Sequence, residues 1–187
     1  MFSLDDLRVL AHLTVNPAYD KMSHEEALAL VEPGDLFWRN YAEPVRKYFS
    51  FRGWKFLEKP GAANLGIIGP NTIGYTDHRD KTIWIASDIS PNNQFRTLVH
   101  EAAHAMDAPR LVPGFLLAYD DAISEAYAES VSHLVCSMVG MKTEYAAAYL
   151  RHAFNSQAPK MIRKAAEKSL AVASKLAALV EPVRLAA

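Results

Sequence analysis

The segment His100-Glu101-Ala102-Ala103-His104 constrains this chain more than any other, because it matches the pattern HExxH. On an α-helix, residues four apart lie about one turn from each other, so His100 and His104 leave the same face and can bind one Zn²⁺. Glu101 lies about 100° around the helix from His100, where its carboxylate can take a proton from water beside the metal. The motif therefore predicts two metal ligands and a catalytic base, and it requires a third ligand elsewhere.

The residues around the motif predict a helix with two different faces. Ser90 is a suitable N-cap, and Pro91 suits the first helical position. The predicted apolar face lies opposite the two histidines and comprises Phe95, Leu98, Val99, Ala102 and Met106. An apolar face that packs on the core, with a histidine pair on the other side, is typical of a metal-binding helix. The alternative interpretation is two surface histidines on an ordinary amphipathic helix.

Composition limits the classes of protein to consider. The 187 residues suit one domain, 1–187, with half of the residues hydrophobic and a net charge of −1. Because broad electrostatic binding of nucleic acid needs a basic surface, nucleic acid is not expected as a direct ligand. Cys136 is the single cysteine, so neither a disulfide framework nor a cysteine zinc site is expected, and a buried small side chain is predicted there.

We expect a cytoplasmic protein with no membrane partner. The N-terminal residues lack the basic and apolar regions of a signal peptide. No stretch approaches the roughly 18 apolar residues that a membrane span requires. The sequence does not predict an oligomeric state.

Periodicity predicts an α+β fold, with a small antiparallel sheet packed on a mainly helical body. Helices are predicted for residues 3–15, 23–31, 35–52, 120–139, 144–154 and 158–180, in addition to the motif helix. The part covering 1–60 is therefore expected to be helical, with Pro44 as a break or a restart, and its aromatic residues are expected to lie in the core. Three strands forming a β-meander are predicted at 65–69, 72–76 and 82–86.

A third ligand is predicted from the helix at 120–139. Asp121, Glu125 and Glu129 recur every four residues along one face, where like charges repel by a few tenths of a kcal/mol per pair. A bound cation reverses that penalty, and two histidines with one carboxylate leave a fourth zinc position open for water. We predict Glu125 as the ligand and Glu129 as the acceptor of a hydrogen bond from a ligand histidine. Glu129 on the metal is the main alternative and Asp121 another, while a solvated helix face is the interpretation without metal.

Two stretches, Thr97–Met106 and Ser124–Glu129, resemble the ImmA/IrrE–ArdC group of zincin-like metallopeptidases. The similarity includes the strand Thr82–Ala86 and the helical tail, over roughly residues 64–180. The resemblance implies a zincin-like metallopeptidase core with a helical tail over 61–187, in which Glu125 completes the metal site. It also implies a phage-, plasmid- or bacteria-borne hydrolase that acts on a regulatory or defence protein.

The chain departs from that group in two places. ArdC-type proteins carry an N-terminal domain that binds single-stranded DNA, whereas residues 1–60 here are short, predicted to be helical and not basic, so that activity is not carried over. ImmA/IrrE proteins often have a small polar residue two positions after the ligand glutamate, where this chain has Tyr127. The resemblance therefore does not identify the substrate.

The predicted function is hydrolysis of a peptide bond in a protein or peptide substrate. One Zn²⁺ is held by His100, His104 and Glu125, and Glu101 activates the attacking water. The strand at 82–86 is a candidate to pair with an extended substrate. An oxyanion helper is usually needed, and the candidates are Tyr119, His78, Tyr75 and His133. The alternative function is a zincin-fold binding or antirestriction protein with little or no proteolytic activity.

Overall fold

The computed structural model describes residues 36–60, 72–107, 111–112, 115–116, 121–141, 143 and 158–186. The helices are α1 (Leu36–Ser50), α2 (Pro91–Met106), α3 (Asp121–Met138) and α4 (Ala158–Ala186). The strands are β1 (Lys55–Lys59), β2 (Gly74–Asp77), β3 (Thr82–Ala86), β4 (Leu111–Val112) and β5 (Phe115–Leu116). These elements form an α+β structure that is mostly helical, as predicted. The predicted helices 3–15, 23–31 and 144–154 and the predicted strand 65–69 lie outside the described residues.

The main sheet is mixed rather than antiparallel. Its strand order is β1-β3-β2, with β1 parallel and β2 antiparallel to β3. The antiparallel pairing of the predicted strands 72–76 and 82–86 is confirmed. The prediction of a wholly antiparallel sheet is wrong, because residues 55–59, assigned to the helical N-terminal part, form a strand that pairs in parallel with the other edge of β3. The short antiparallel ladder between β4 and β5 lies between α2 and α3 in the chain.

The central position of β3 excludes it as a substrate-binding edge. Both of its backbone edges are hydrogen-bonded, one to β1 and the other to β2. A strand adds to a sheet only where unpaired N–H and C=O groups remain. The predicted pairing of strand 82–86 with a substrate is therefore wrong.

The turn between β2 and β3 holds β2 in register. The Asp77 carboxylate accepts hydrogen bonds from the main-chain N–H groups of Arg79, at 2.8 Å, and Asp80, at 3.1 Å. In that register Thr76 pairs with Ile83 and Gly74 with Ile85. Successive residues of a strand point to opposite faces, so these four residues share the face that carries the buried Ile83 and Ile85.

Helix α1 continues through Pro44 instead of breaking there. Proline removes one hydrogen bond and crowds the preceding turn, so a helix that keeps it needs support from tertiary packing. That support is a buried face, on which Tyr41, Val45 and Phe49 lie in the core. The Tyr41 ring lies 5.9 Å from that of Phe95 on α2. Tyr41 and Phe49 thus lie in the core, as predicted for the aromatic residues of this region.

Helix α3 is buried on more than one face. Its apolar side includes Tyr127 and Val131, and Glu129, Ser132 and Cys136 on the other side are also fully buried. The interpretation of the acidic face of this helix as solvated is therefore wrong for Glu129. The burial of Cys136 agrees with its prediction, and burial raises the pKa of its thiol to about 12.

Helix α4 packs along α3 and reaches the end of α2. On α4, Ala165, Ala173 and Leu176 are buried in the core. Lys168 forms an ion pair with Asp107, the C-cap of α2, and lies 4.7 Å from the centre of the Tyr127 ring. The Tyr127 hydroxyl in turn donates to the Ala103 carbonyl at 3.0 Å, so α2, α3 and α4 are joined behind the HExxH motif. None of the described helices is both long and apolar enough to cross a membrane.

Candidate metal centre

Helix α2 presents the HExxH residues as its sequence predicts. The Ser90 hydroxyl accepts a hydrogen bond from the Asn93 N–H at 3.3 Å, and Pro91 occupies the first turn. Phe95, Leu98 and Val99 are fully buried, which fixes the rotation of the helix about its axis. His100 and His104 then face α3, where Glu125 projects from the facing helix.

Three side chains converge on one point between α2 and α3. The Nε2 atoms of His100 and His104 lie 3.2 Å apart. Glu125 Oε2 lies 3.4 Å from His100 Nε2, and Glu125 Oε1 lies 3.3 Å from His104 Nε2. One ligand atom from each residue lies within 4.8 Å of the others. The structure thus brings together the three residues that the sequence assigned to the metal.

These separations fit a tetrahedral zinc site. Ligand atoms at zinc bond lengths of about 2.0–2.1 Å in tetrahedral positions lie about 3.3–3.4 Å from one another. The two Nε2 atoms, 3.2 Å apart, are close to such an edge. The distances of 3.4 Å from His100 Nε2 and 3.3 Å from His104 Nε2 are of the same length, but they end on different oxygens of the Glu125 carboxylate. The donor set of two imidazoles and one carboxylate is that of catalytic zinc sites, so the residues present fit the group.

The other ring nitrogen of each histidine has its own partner. His100 Nδ1 lies 3.2 Å from Glu129 Oε2, and His104 Nδ1 lies 3.2 Å from Ser124 Oγ. Because these contacts use the Nδ1 atoms, both Nε2 atoms remain directed at the shared point. The arrangement places Glu129 where the sequence predicted a hydrogen-bond acceptor and not among the three converging ligand atoms. The side chain of Asp121, the other alternative ligand, lies outside what the structure describes.

A buried arginine holds Glu129 away from the metal position. Arg96 Nη2 lies 2.7 Å from Glu129 Oε1 and 2.8 Å from Oε2. Both side chains are buried, with 5% of Arg96 and none of Glu129 exposed. Since a buried carboxylate needs a compensating charge, this pair explains why Glu125, with 38% of its side chain exposed, is the glutamate left for a cation.

The charges of the centre reinforce one another. Burial by itself lowers the pKa of His100, but hydrogen bonds and charges from Glu125 and Glu129 outweigh it and raise that pKa to about 10. Burial by itself raises the pKa of Glu129, but Arg96 and His100 lower it to about 2. The two histidines likewise hold the pKa of Glu125 well below its usual range, against the effect of burial. Glu125 and Glu129 are therefore ionised, and without a metal ion the positive charges of His100 and Arg96 compensate them.

Glu101 is held against strand β2. Its carboxylate Oε2 accepts a hydrogen bond from Thr76 Oγ1 at 2.8 Å, and only 6% of the residue is exposed. Gly74 allows this close approach, because a Cβ at that position would lie 2.6 Å from Glu101 Oε1 and 2.4 Å from Thr97 Cγ2. The predicted base is thus next to the candidate ligand His100 in sequence, and β2 encloses it in space.

The four candidates for the oxyanion helper differ in their position relative to the centre. Tyr119 lies outside the described residues. His78 lies beside the centre, where its side chain hydrogen-bonds to the main chain of His104. Its pKa is lowered, mainly by burial. Tyr75 is 40% exposed on the opposite face of β2 from Thr76, so it does not reach the ligands. His133 lies eight residues beyond Glu125 on α3, about 12 Å along the helix axis.

Four residues that were not predicted from the sequence contribute to the centre: Arg96, Ser124, Thr76 and Gly74. Arg96 could have been found, because it precedes His100 by four residues just as Glu125 precedes Glu129 by four. When His100 on one helix meets Glu125 on the facing helix, this spacing brings Arg96 and Glu129 together one turn away. No comparable signal marks Thr76 or Gly74, since their contacts depend on the register of β2 against α2.

Comparisons of the chain with protein-family models, with curated proteins and with solved structures found no match. The resemblance to the ImmA/IrrE–ArdC group therefore stays a prediction that rests on the residues quoted for it.

Proposed function

We propose that this protein is a zinc-dependent peptidase. The observation that supports this proposal best is the convergence of His100 Nε2, His104 Nε2 and the Glu125 carboxylate, whose neighbouring atoms lie 3.2–3.4 Å apart. The same donor set occurs at non-haem iron sites, so the ligands alone do not define the reaction. The carboxylate of Glu101 beside the ligands favours hydrolysis, because a base next to the metal is what activation of water requires.

Zn²⁺ bound in such a site polarises a carbonyl oxygen and acidifies water. Glu101 takes a proton from the attacking water and transfers it to the nitrogen of the leaving amine. Glu129 and Ser124 orient the two imidazoles through their Nδ1 atoms. Arg96 keeps Glu129 ionised, so that the hydrogen bond to His100 persists through the reaction.

The outer edge of β2 is where we place an extended substrate. Within the part of the chain that the structure describes, β2 pairs with β3 alone, and its inner face contacts Glu101. A substrate strand added at this edge would have its peptide bonds next to the predicted base. The resemblance to the ImmA/IrrE–ArdC group favours a regulatory or defence-related protein as that substrate.

The first experiment is native mass spectrometry after zinc loading and removal of free metal. We expect one Zn²⁺ on the wild-type protein and none on Glu125→Ala. Glu167→Ala removes an exposed glutamate on α4 and should keep the metal, which controls for the change in net charge. A parallel loading with Fe²⁺ separates zinc from the iron chemistry that the same ligands support.

The second experiment is digestion of a peptide library with the zinc-loaded protein, before and after chelation. Cleavage that disappears with the chelator and returns with zinc would support the proposal. Zinc that is retained without any cleavage would instead favour the binding or antirestriction alternative. A wild-type protein that retains no zinc would exclude the metal centre itself.

A further inference from the structure

We propose that Thr76 is a positioning residue that fixes the orientation of the Glu101 carboxylate; this inference rests on the proposed function of Glu101 as the base. The Thr76 hydroxyl lies 2.8 Å from Glu101 Oε2 and 2.9 Å from the main-chain oxygen of the same residue. Thr76 comes from β2 and Glu101 from α2, 25 residues apart in the chain. The Thr76 hydroxyl is thus within hydrogen-bond distance of both the carboxylate and the main-chain oxygen of the predicted base.

The other carboxylate oxygen is restrained by shape. A Cβ at position 74 would lie 2.6 Å from Glu101 Oε1 and 2.9 Å from Glu101 Cγ, so the backbone of Gly74 packs directly on this side chain. Oε2 is hydrogen-bonded and Oε1 faces the Gly74 backbone, which leaves the carboxylate little freedom to rotate. A base that is held in one orientation loses less entropy when it meets its water.

The hydroxyl of Thr76, and not its methyl group, carries this role. A hydroxyl has one hydrogen to donate, and here two acceptors of the same residue compete for it. Valine has the same shape as threonine and suits a strand equally well, but it cannot donate to either oxygen. Serine keeps the donor and loses only the methyl group. The pair Thr76→Val and Thr76→Ser therefore separates hydrogen bonding from packing.

Thr82→Val is the matched control. Thr82 belongs to β3 of the same sheet and pairs with Asp77, so it lies on the face opposite Thr76. Its hydroxyl donates to the Asp80 carbonyl at 3.3 Å and does not contact Glu101. Thr82→Val thus removes a threonine hydroxyl from the same sheet and keeps the contact between Thr76 and Glu101.

The first test is a carbon-13 NMR spectrum of protein labelled at the glutamate carboxyl carbons, recorded with and without zinc. Glu101→Gln identifies the Glu101 resonance by its disappearance. We expect Thr76→Val to shift this resonance in both spectra, and Thr76→Ser and Thr82→Val to leave it in place. An unchanged resonance in Thr76→Val would overturn the proposal without any measurement of activity. Should the valine variant not fold, Thr76→Ala provides the same comparison.

The second test is steady-state hydrolysis of a peptide that the wild-type protein cleaves. We expect Thr76→Val to retain one zinc ion and an unchanged KM, with kcat lower by about 10- to 100-fold. Thr76→Ser should restore most of kcat, which a purely structural role would not explain. A wild-type kcat in Thr76→Val, or loss of zinc from it, would overturn the positioning role alone. Absence of cleavage by the wild-type protein would remove the proposed function, and the positioning role with it.

Discussion

In this centre, the side chains around a residue determine its role more than its residue type does. Glu125 and Glu129 lie one helical turn apart on α3, yet one is 38% exposed beside two imidazole nitrogens and the other is fully buried against Arg96. The buried glutamate is neutralised by a guanidinium, whereas the exposed one faces only the two histidines. A cation therefore gains most next to Glu125.

Replacement of Glu101 by glutamine tests its role as a base. Glutamine keeps the size of the side chain and removes the carboxylate, so the metal ligands remain and proton transfer is lost. We expect one retained zinc ion and a kcat lower by about 10²- to 10⁴-fold. Native mass spectrometry and peptide cleavage measure the two quantities on the same sample. Loss of zinc together with activity would count against this role.

Replacement of Arg96 by methionine tests the buried ion pair. It leaves the Glu129 carboxylate buried without its 2.7 Å partner, which should cost about 3–5 kcal/mol in the free energy of unfolding measured with urea. Arg79→Met, which removes an exposed arginine from a surface pair, should change stability by less than about 1 kcal/mol. A loss in Arg96→Met as small as that of the control would contradict the assigned pair.

The double variant Arg96→Met/Glu129→Met separates folding from metal binding. Two apolar side chains can pack where the ion pair lay, so much of the lost stability should return. His100 Nδ1, however, then has no acceptor at its 3.2 Å contact. We expect the affinity for zinc to stay about 10- to 100-fold below that of wild type in a competition with a chelator. Wild-type affinity in this variant would show that Glu129 does not support His100.

The clustering of His100, His104 and Glu125 could be predicted from the sequence because it depends mainly on helical spacing. His100, Glu101 and His104 belong to one helix, and Glu125 needed only a second acidic helix nearby. The contacts of Thr76 and Gly74 could not be predicted, because they depend on how a strand lies across that helix. Arg96 lies between these cases. Its spacing from His100 was visible in the sequence, but its partner Glu129 had already been assigned to a ligand histidine.

At the scale of elements, local signals predicted some segments and failed for others. Helix α2 begins at Ser90-Pro91 as predicted, because a cap and a proline act within a single turn. Strand β1, Lys55–Lys59, was missed because three of its five residues are charged and its partner β3 lies over 20 residues away in the chain. Pro44 was taken for a break because the packing that supports α1 is not visible in the local sequence.

The contact between β2 and α2 has a direct test in Gly74→Ala. The new methyl group would lie 2.4 Å from Thr97 Cγ2 and 2.6 Å from Glu101 Oε1, so β2 must shift outward. We expect a loss of about 1–3 kcal/mol in the free energy of unfolding, which is usual for overpacking. The additional change Thr97→Ser removes the closer of the two clashing groups and should recover part of that loss. A Gly74→Ala protein as stable as wild type would mean that β2 does not pack this closely.

At the scale of the whole molecule, stability should depend on pH through the metal centre. The folded pKa of His100 is raised from 6.5 to about 10, so its ionised form stabilises the zinc-free fold. This contribution is complete below about pH 6.5 and is lost as the pH rises towards 10. Glu129 acts in the opposite direction, since its folded pKa is lowered to about 2 and its contribution is lost as the pH falls from about 4.5 towards 2.

Thermal unfolding with and without zinc measures this dependence. A zinc-bound imidazole carries no proton on the bound nitrogen, so the zinc-loaded protein should not lose stability between pH 6.5 and 10 as the zinc-free protein does. The difference in Tm between the two forms should therefore widen over that range. His100→Gln, without zinc, should show a flatter profile than the zinc-free wild type. A constant difference in Tm across these pH values would contradict the charge assignment.

The absence of a side chain at Gly74 has a consequence for tracing ancestry. Any other residue at this position would push β2 away from the base, so we expect Gly74 to be conserved in related proteins whose other residues have diverged. A glycine, any residue and then a threonine or serine, about 25 residues ahead of the glutamate in HExxH, forms a compact fingerprint. A search of translated genomes for that fingerprint could identify distant homologues that whole-chain alignment does not detect.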